Sequence, residues 1–448
     1  MLYKNILHFW LFTTFALLLT GVLLTITHVH TLSLTSALIV LIQSILFFYI
    51  GRKILDGFTF NITSLAFLYF LYACLNLLAY KLLYLWKINS LFEFSAVDSL
   101  QYAEYALEIT TQEFPKSIIT YFNNNPYDDF GAVFLTSLAY FIYPSPVITN
   151  FLNLIAGGVS TIYLYLLVKQ FLPKKGATFV VFFYSFSSYN VYMISTGMKE
   201  VFFSMFVILF YYHFAKSMYK GNKKNIFFSI LYLIILPFFR PAVMIFVIIS
   251  VMLSIIYTSK NKYFVPVILA TAVACIYLYL DDLTIFYYRY YGGVDALKAR
   301  ADYVDGLQPT TFNFIFAFAS GLAGPFPTFI PSVGGLQQFF YAPGLLFKLM
   351  LVYFFWKGTI LVFRLKDVIL CSLAIFSILE MLSLSLVLQS FELRFNYPHL
   401  AFFYVIAVFY TSHSLNESFS LSSKGFFYIL ILPLLISFAW NLRGLINI

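Results

Sequence analysis

Apolar residues in this chain recur neither with the two-residue alternation of strands nor as the narrow stripe of a surface helix, but in long unbroken runs. Runs near the roughly 20 residues that cross a bilayer as a helix fall at about 7–28, 32–50, 62–86, 147–169, 177–194, 201–218, 263–280, 336–356, 367–389, 395–412 and 425–442. Four more, at about 131–143, 226–239, 241–258 and 311–330, are shorter or broken and stay ambiguous. The pattern predicts an all-α, polytopic integral membrane protein with about 11–14 transmembrane helices. With no internal repeat and no separate soluble domain, residues 1–448 read as a single membrane domain with two long polar loops, 87–130 and 281–310.

Prolines and charges arrange these runs. Pro237 and Pro241 break Asn225–Thr258 into two short helices that meet at Arg240. Gly321–Pro327 reads as a re-entrant or interfacial turn. Lysine and arginine collect on cytoplasmic loops, which assigns Arg52 and Lys53, Lys169 to Lys175, Lys216 to Lys224, Lys260 and Lys262, and Arg364 and Lys366 to the cytoplasm. The opposite side receives both long loops, the Ser195–Glu200 turn and the Gln389–Arg394 turn. For that parity to hold, the segment 131–143 must dip back to the side it left; otherwise Pro144–Pro146 faces the cytoplasm and one nearby assignment fails.

Composition agrees with this reading: 62% of the 448 residues are hydrophobic and 10% charged, and mean hydropathy is +0.88. The net charge of +9 is scattered over short loops, as positive-inside bias alone produces, so nucleic acid is not an expected partner. Cys74, Cys275 and Cys371 lie inside apolar runs with neither zinc nor disulfide spacing, and read as core fillers. Met1–Phe9 leads into an apolar run too long for a signal-peptide core and is expected to stay as the first helix. The absence of a phosphate-binding glycine loop argues against an ATP-driven machine or an enzyme with a dinucleotide fold.

Acids concentrate in the first long loop, where Glu93, Asp98, Glu104, Glu108, Glu113, Asp128 and Asp129 fall. Helical spacing puts Asp98, Tyr102 and Tyr105 along one side of an amphipathic segment, and Leu100, Ala103 and Leu107 along an apolar stripe expected to lie on the bilayer surface. Solvation alone accounts for Glu104, Glu108 and Glu113, but Asp98 stands nearest the preceding membrane run. Lys199, Arg240 and Arg394 reach the same side. Each has a bland reading, as a local pair with Glu200, an interfacial anchor and a partner of Glu392 respectively, and a second reading as an anion ligand. In the second loop Arg289 lies among Tyr287, Tyr288, Tyr290 and Tyr291, suited to a lipid headgroup or a sugar ring.

The order Asp98-x-x-x-Tyr102, the acidic patch Asp128-Asp129, a short apolar segment ending at Pro144-Ser145-Pro146, and Asn150-x-x-Asn153 opening a long helix that closes at Lys169–Lys175 resembles the GT-C superfold of membrane glycosyltransferases. The likeness covers roughly 90–260 together with Arg394-Phe395; many members carry Asp-Glu at the first site, where this chain has Asp98-Ser99. The resemblance implies transfer of a sugar from a polyprenyl-phosphate or pyrophosphate donor to a glycan, lipid or protein acceptor outside the cytoplasm. It further implies Asp98 as general base or metal ligand, Lys199, Arg240 and Arg394 at the donor phosphate, and Tyr102, Asp128, Asp129 and Arg289 at the substrate. Mg²⁺ or Mn²⁺ is a possible cofactor, with Asp98, Asp128 and Asp129 as its candidate ligands. The expected setting is the bacterial cytoplasmic membrane with the active site facing out, in cell-envelope or surface-glycan assembly. Two alternatives stand beside it, an O-antigen or capsule repeat-unit polymerase and a lipid-linked glycan flippase or other transporter; the scarcity of charge in the core spans, Glu380 excepted, disfavours the transporter.

Overall fold

The computed structural model describes residues 2–26, 30–57, 61–92, 98–125, 127, 129–259, 319–329, 338–386, 394–414 and 427–446. Among these every regular element is helical: α1 (Leu2–Ile26), α2 (His30–Leu55), α3 (Ile62–Ile88), α4 (Asp98–Thr111), α5 (Lys116–Asn124), α6 (Phe130–Tyr140), α7 (Pro146–Val168), α8 (Lys174–Ser185), α9 (Ser188–Thr196), α10 (Glu200–Lys220), α11 (Lys223–Ile235), α12 (Pro241–Thr258), α13 (Gln338–Leu365), α14 (Val368–Leu386), α15 (Leu400–Ser414) and α16 (Leu432–Ile446). Seven helices among the described residues are long and apolar enough to cross a membrane, including the previously ambiguous Pro241–Thr258. The chain is an all-helical integral membrane protein, as its hydropathy predicts. The expected span at 263–280, the second long loop at 281–310, and residues 311–318 lie outside the described residues.

Helix α3 shows how the bilayer is written into the surface. Phe67, Leu71, Leu75, Leu78 and Leu82 repeat at helical spacing and are all exposed, a stripe that lipid would cover. The opposite face is buried and polar: Tyr72, Asn76 and Tyr80 point into protein, where Gln43 of α2 donates to both Asn76 and Tyr80.

One expectation is corrected here, and one ambiguous run is resolved. The run 177–194 is not one continuous helix but α8 and α9, separated at Phe186–Ser187. The Asn190 side chain donates to the Ser185 carbonyl (3.2 Å) that the interruption releases, while the serine hydroxyls turn to other helices, Ser185 to Thr161 and Ser188 to the Gly344 N–H. Nor does the segment at 131–143 cross the membrane. Its helix α6 has 11 residues, which at ~1.5 Å per residue is about half a ~30 Å hydrocarbon core. It folds back on α4 instead.

Helix α4 also packs inside the protein. Ser99, Tyr102, Ala103, Ala106 and Ile109 are its buried residues. Tyr102 and Ile109 join Ile118 of α5 and Ala132 and Val133 of α6 in one apolar cluster, and Ala103 and Ala106 meet Tyr140 of α6 in another. Leu100 and Leu107 remain exposed. The physical reason is that α4 has two apolar faces, and small side chains at 99, 103 and 106 let the second one dock closely on α6.

By compactness the chain divides into two units. The first comprises Met1–Met244, Phe326–Gly358 and Tyr397–Ile448, and holds α1 to α11, α15, α16 and most of α13. The second comprises Ile245–Pro325 and Thr359–Asn396; within it Ser250 on α12 meets Ser372 on α14 at 3.3 Å.

Candidate functional site

Three helix starts in the first unit carry acids: Asp98 is the first residue of α4, Asp129 the N-cap of α6 and Glu200 the first residue of α10. A carboxylate is stabilised there by the positive end of the helix dipole. Asp129 makes no capping bond with its own helix, and its carboxylate turns to side chains from elsewhere. The Lys199 ammonium donates to Asp129 Oδ1 at 2.7 Å, and the Tyr102 hydroxyl donates to the same oxygen at 2.7 Å. Lys199 is 5% exposed while the Asp129 side chain is about half exposed, so the pair sits at the edge of the protein interior.

The Lys199–Glu200 corner is held by α7. Gly197 closes α9 with φ +75°, in the left-handed region, and a Cβ there would come within 3.2 Å of the Asn150 amide nitrogen. Asn150 donates to the Ser195 carbonyl (2.8 Å) and Asn153, one turn later, to the Met198 carbonyl (3.1 Å). Both asparagines are buried, and their side chains fix the chain that presents Lys199 and Glu200. Asn153→Leu should therefore depress activity more than stability. Removing this bond costs about 1 kcal/mol of net stability, whereas a shift of the corner by about 1 Å costs on the order of 10² in rate; thermal unfolding and turnover on one preparation check the split.

Arg240 arrives from the other direction. Leu236–Phe238 forms a short 3-10 turn, Arg240 N–H bonds to the Leu236 carbonyl (2.8 Å), and Pro241 starts α12, so the two prolines bring the side chain to a sharp corner. Gly131 makes room for this corner: a Cβ on it would lie 2.7 Å from the Phe239 ring. The guanidinium Nη1 stands 3.8 Å from Glu200 Oε1, and Glu200 is 2% exposed.

Two acid–base pairs thus stand side by side, with Asp98 one turn along α4 from Tyr102. The Tyr102 phenol is pushed well above its ordinary value, first by burial and then by the charges of Asp129, Glu200 and Asp98, which keeps it a neutral donor. Burial alone would raise the Asp129 carboxyl, but the charge and hydrogen bond of Lys199, the Tyr102 hydroxyl and the Arg240 charge outweigh it and hold the group below its usual value. Because the folded value lies below the unfolded one, the pair's stabilisation is complete above pH ~4 and is lost as pH falls through the lower folded value. Thermal unfolding between about pH 3 and pH 6 should show a falling acid limb that Asp129→Asn flattens.

Of the residues singled out in the sequence, Asp98, Tyr102, Asp129, Lys199 and Arg240 come together. The bland pairing of Lys199 with Glu200 is replaced by a crossed arrangement, Lys199 with Asp129 and Glu200 with Arg240. Arg394 lies in a 3-10 turn of the second unit, its guanidinium 4.7 Å from the ring centroid of Phe395. Asp128 and Arg289 fall outside the described residues. Glu200 and the two asparagines, read from the sequence only as a neighbour of Lys199 and as the opening of a long helix, turn out to position the cations; a polar pair at i, i+3 inside an apolar span was the available signal. Among the described residues no group of three acidic, histidine or cysteine side chains is arranged to hold a metal ion.

Residues 122–238, which carry Asp129, Lys199 and Glu200 and stop just before Arg240, match the family described as dolichyl-phosphate-mannose-protein mannosyltransferase. The likeness to membrane glycosyltransferases is borne out over this segment. The enzyme class expected from the sequence, a glycosyltransferase, is the class of the matched family. A crystal structure of the Archaeoglobus fulgidus oligosaccharyltransferase in its apo form is similar at 14% identity and a TM-score of 0.42, over 86% of this chain and 55% of that one. This chain therefore spans about half the length of the archaeal enzyme. No curated protein matches the chain in sequence.

Proposed function

We propose that this protein is a membrane glycosyltransferase that takes a sugar from a polyprenyl-phosphate or pyrophosphate donor and passes it to an acceptor hydroxyl on the extracytoplasmic side. The observation that carries the reading is the meeting of Asp98, Asp129 and Glu200 with Lys199 and Arg240 at helix starts beside membrane spans. Positive-inside charge supports the orientation: α2 ends in Arg52 and Lys53 and α10 in Lys220, at the ends away from the cluster.

The chemistry assigns a task to each group. Asp98 removes the proton of the acceptor hydroxyl, the freed oxygen bonds to the anomeric carbon, and the carbon–oxygen bond to phosphate breaks with its electron pair leaving on the phosphate. Lys199 and Arg240 neutralise that developing charge, the guanidinium through its planar donor fork. Asp129 and Glu200 hold these cations in place, and Tyr102 positions Asp129. A bacterial cytoplasmic membrane and a role in cell-envelope or surface-glycan assembly complete the proposal.

The test is turnover in proteoliposomes of a polyprenyl-phosphate sugar labelled in the sugar. Release of lipid phosphate with label on an acceptor supports transfer, and label that crosses the bilayer with its bond intact overturns it in favour of transport. Repeating the assay in EDTA assigns Asp98: turnover lost and restored by Mn²⁺ makes it a metal ligand, and unchanged turnover makes it the general base.

A further inference from the structure

Between α4 and α5 the loop helices enclose an open cavity of about 660 Å³, inside the ~300–1,000 Å³ range of small-molecule sites. Tyr105, Glu108 and Gln112 line it from α4 and its end, and Tyr121, Asn124 and Asn125 from α5 and its end. This is the face of α4 that neither packs on α6 nor presents the exposed leucines. Its polar groups are pre-ordered: Gln112 donates to Glu108 (3.1 Å), and Gln101 donates to the Tyr105 hydroxyl (3.1 Å). The Tyr105 and Tyr121 rings meet at 5.4 Å with planes tilted by 50°.

We infer that this cavity is an acceptor subsite for a neutral glycan. Carboxylate and amide groups beside two tyrosine rings suit a ligand with hydroxyls around its edge and apolar C–H faces. Glu108 and Glu113 outnumber Lys116 among the charged lining residues, so an anionic ligand is disfavoured. A peptide is less well served. Extended peptides gain affinity by adding to a sheet edge, and among the described residues there is no strand, while α4 and α5 spend their backbone groups on their own helices.

Position links the cavity to the transfer chemistry. Tyr105 lies seven residues after Asp98 on one helix, which at ~1.5 Å per residue is about 10 Å. A chain of sugars lying along α4 would present its end to Asp98 while its preceding residues occupy the cavity. The inference rests on the transfer reading above and adds to it that the acceptor is a carbohydrate rather than a protein.

The experiment is saturation-transfer NMR on the full-length protein in nanodiscs with mannotriose, maltotriose and chitotriose, and a serine- and threonine-rich peptide as comparison. At least one trisaccharide should receive saturation. Affinity should fall about tenfold in Tyr105→Ala and in Gln112→Ala, the loss of a contact worth ~1.4 kcal/mol, and persist in Tyr105→Phe, which keeps the ring. Binding of no trisaccharide, equal binding by both alanine variants, or binding of the peptide in place of the sugars overturns the inference. Donor hydrolysis by the same preparations separates the two claims. Wild-type protein that cleaves the donor but binds no sugar sinks the subsite alone, whereas wild-type protein that binds sugar through Tyr105 and Gln112 but cleaves no polyprenyl-phosphate donor sinks the transfer reading and, with it, the acceptor role, leaving a glycan-binding cavity.

Discussion

Asp98→Asn should lower sugar transfer by about 10²–10⁴, the usual contribution of a positioned general base, while leaving the fold intact. Asparagine has nearly the size and shape of aspartate and serves equally well at a helix start, so α4 keeps its N-terminal residue and its packing on α6. What is lost is the ability to accept a proton. No neighbour replaces it: the Tyr102 hydroxyl is held neutral and donates to Asp129, and Asp129 is engaged by Lys199. Donor turnover with acceptor present should collapse while the melting temperature stays near that of the wild type. Full transfer by Asp98→Asn would remove the base role and favour the arginine-centred polymerase reading.

Much of this site could be read along the chain because its local part is periodic. Asp98 and Tyr102 are four residues apart on a helix whose amphipathicity is visible, and Arg240 sits between two prolines that force a corner. The pairing was beyond the sequence. Lys199 meets Asp129 across 70 positions, and nothing in Lys199-Glu200 as neighbours says that each turns away from the other to a partner on a different helix. The break between α8 and α9 was hidden for another reason: no glycine or proline marks it, and Ser185, Ser187 and Ser188 look like ordinary small residues of a membrane helix. The second face of α4 was concealed by size, since Ser99, Ala103 and Ala106 add little to a hydropathy pattern yet permit the closest packing.

Arg240→Met should be the most destabilising single change at the site, and a double variant distinguishes why. Glu200 is 2% exposed and its carboxylate stands 3.8 Å from the guanidinium. Taking away one member of a buried pair costs about 3–5 kcal/mol because the other charge keeps its desolvation penalty; the long separation here places the cost near the lower end. Glu200 escapes part of it by taking up a proton, so the loss of melting temperature should shrink as pH falls. In Arg240→Met with Glu200→Gln the buried charge is gone as well, and stability should recover most of the way, since replacing a whole buried pair is often neutral. Transfer should not recover, because no planar donor fork remains for the leaving phosphate. Arg240→Lys should fall between, retaining charge without the bidentate geometry. Melting temperature and donor turnover measured on all three variants decide the matter: if the double variant regained both, Arg240 would serve Glu200 alone and the phosphate role would fall.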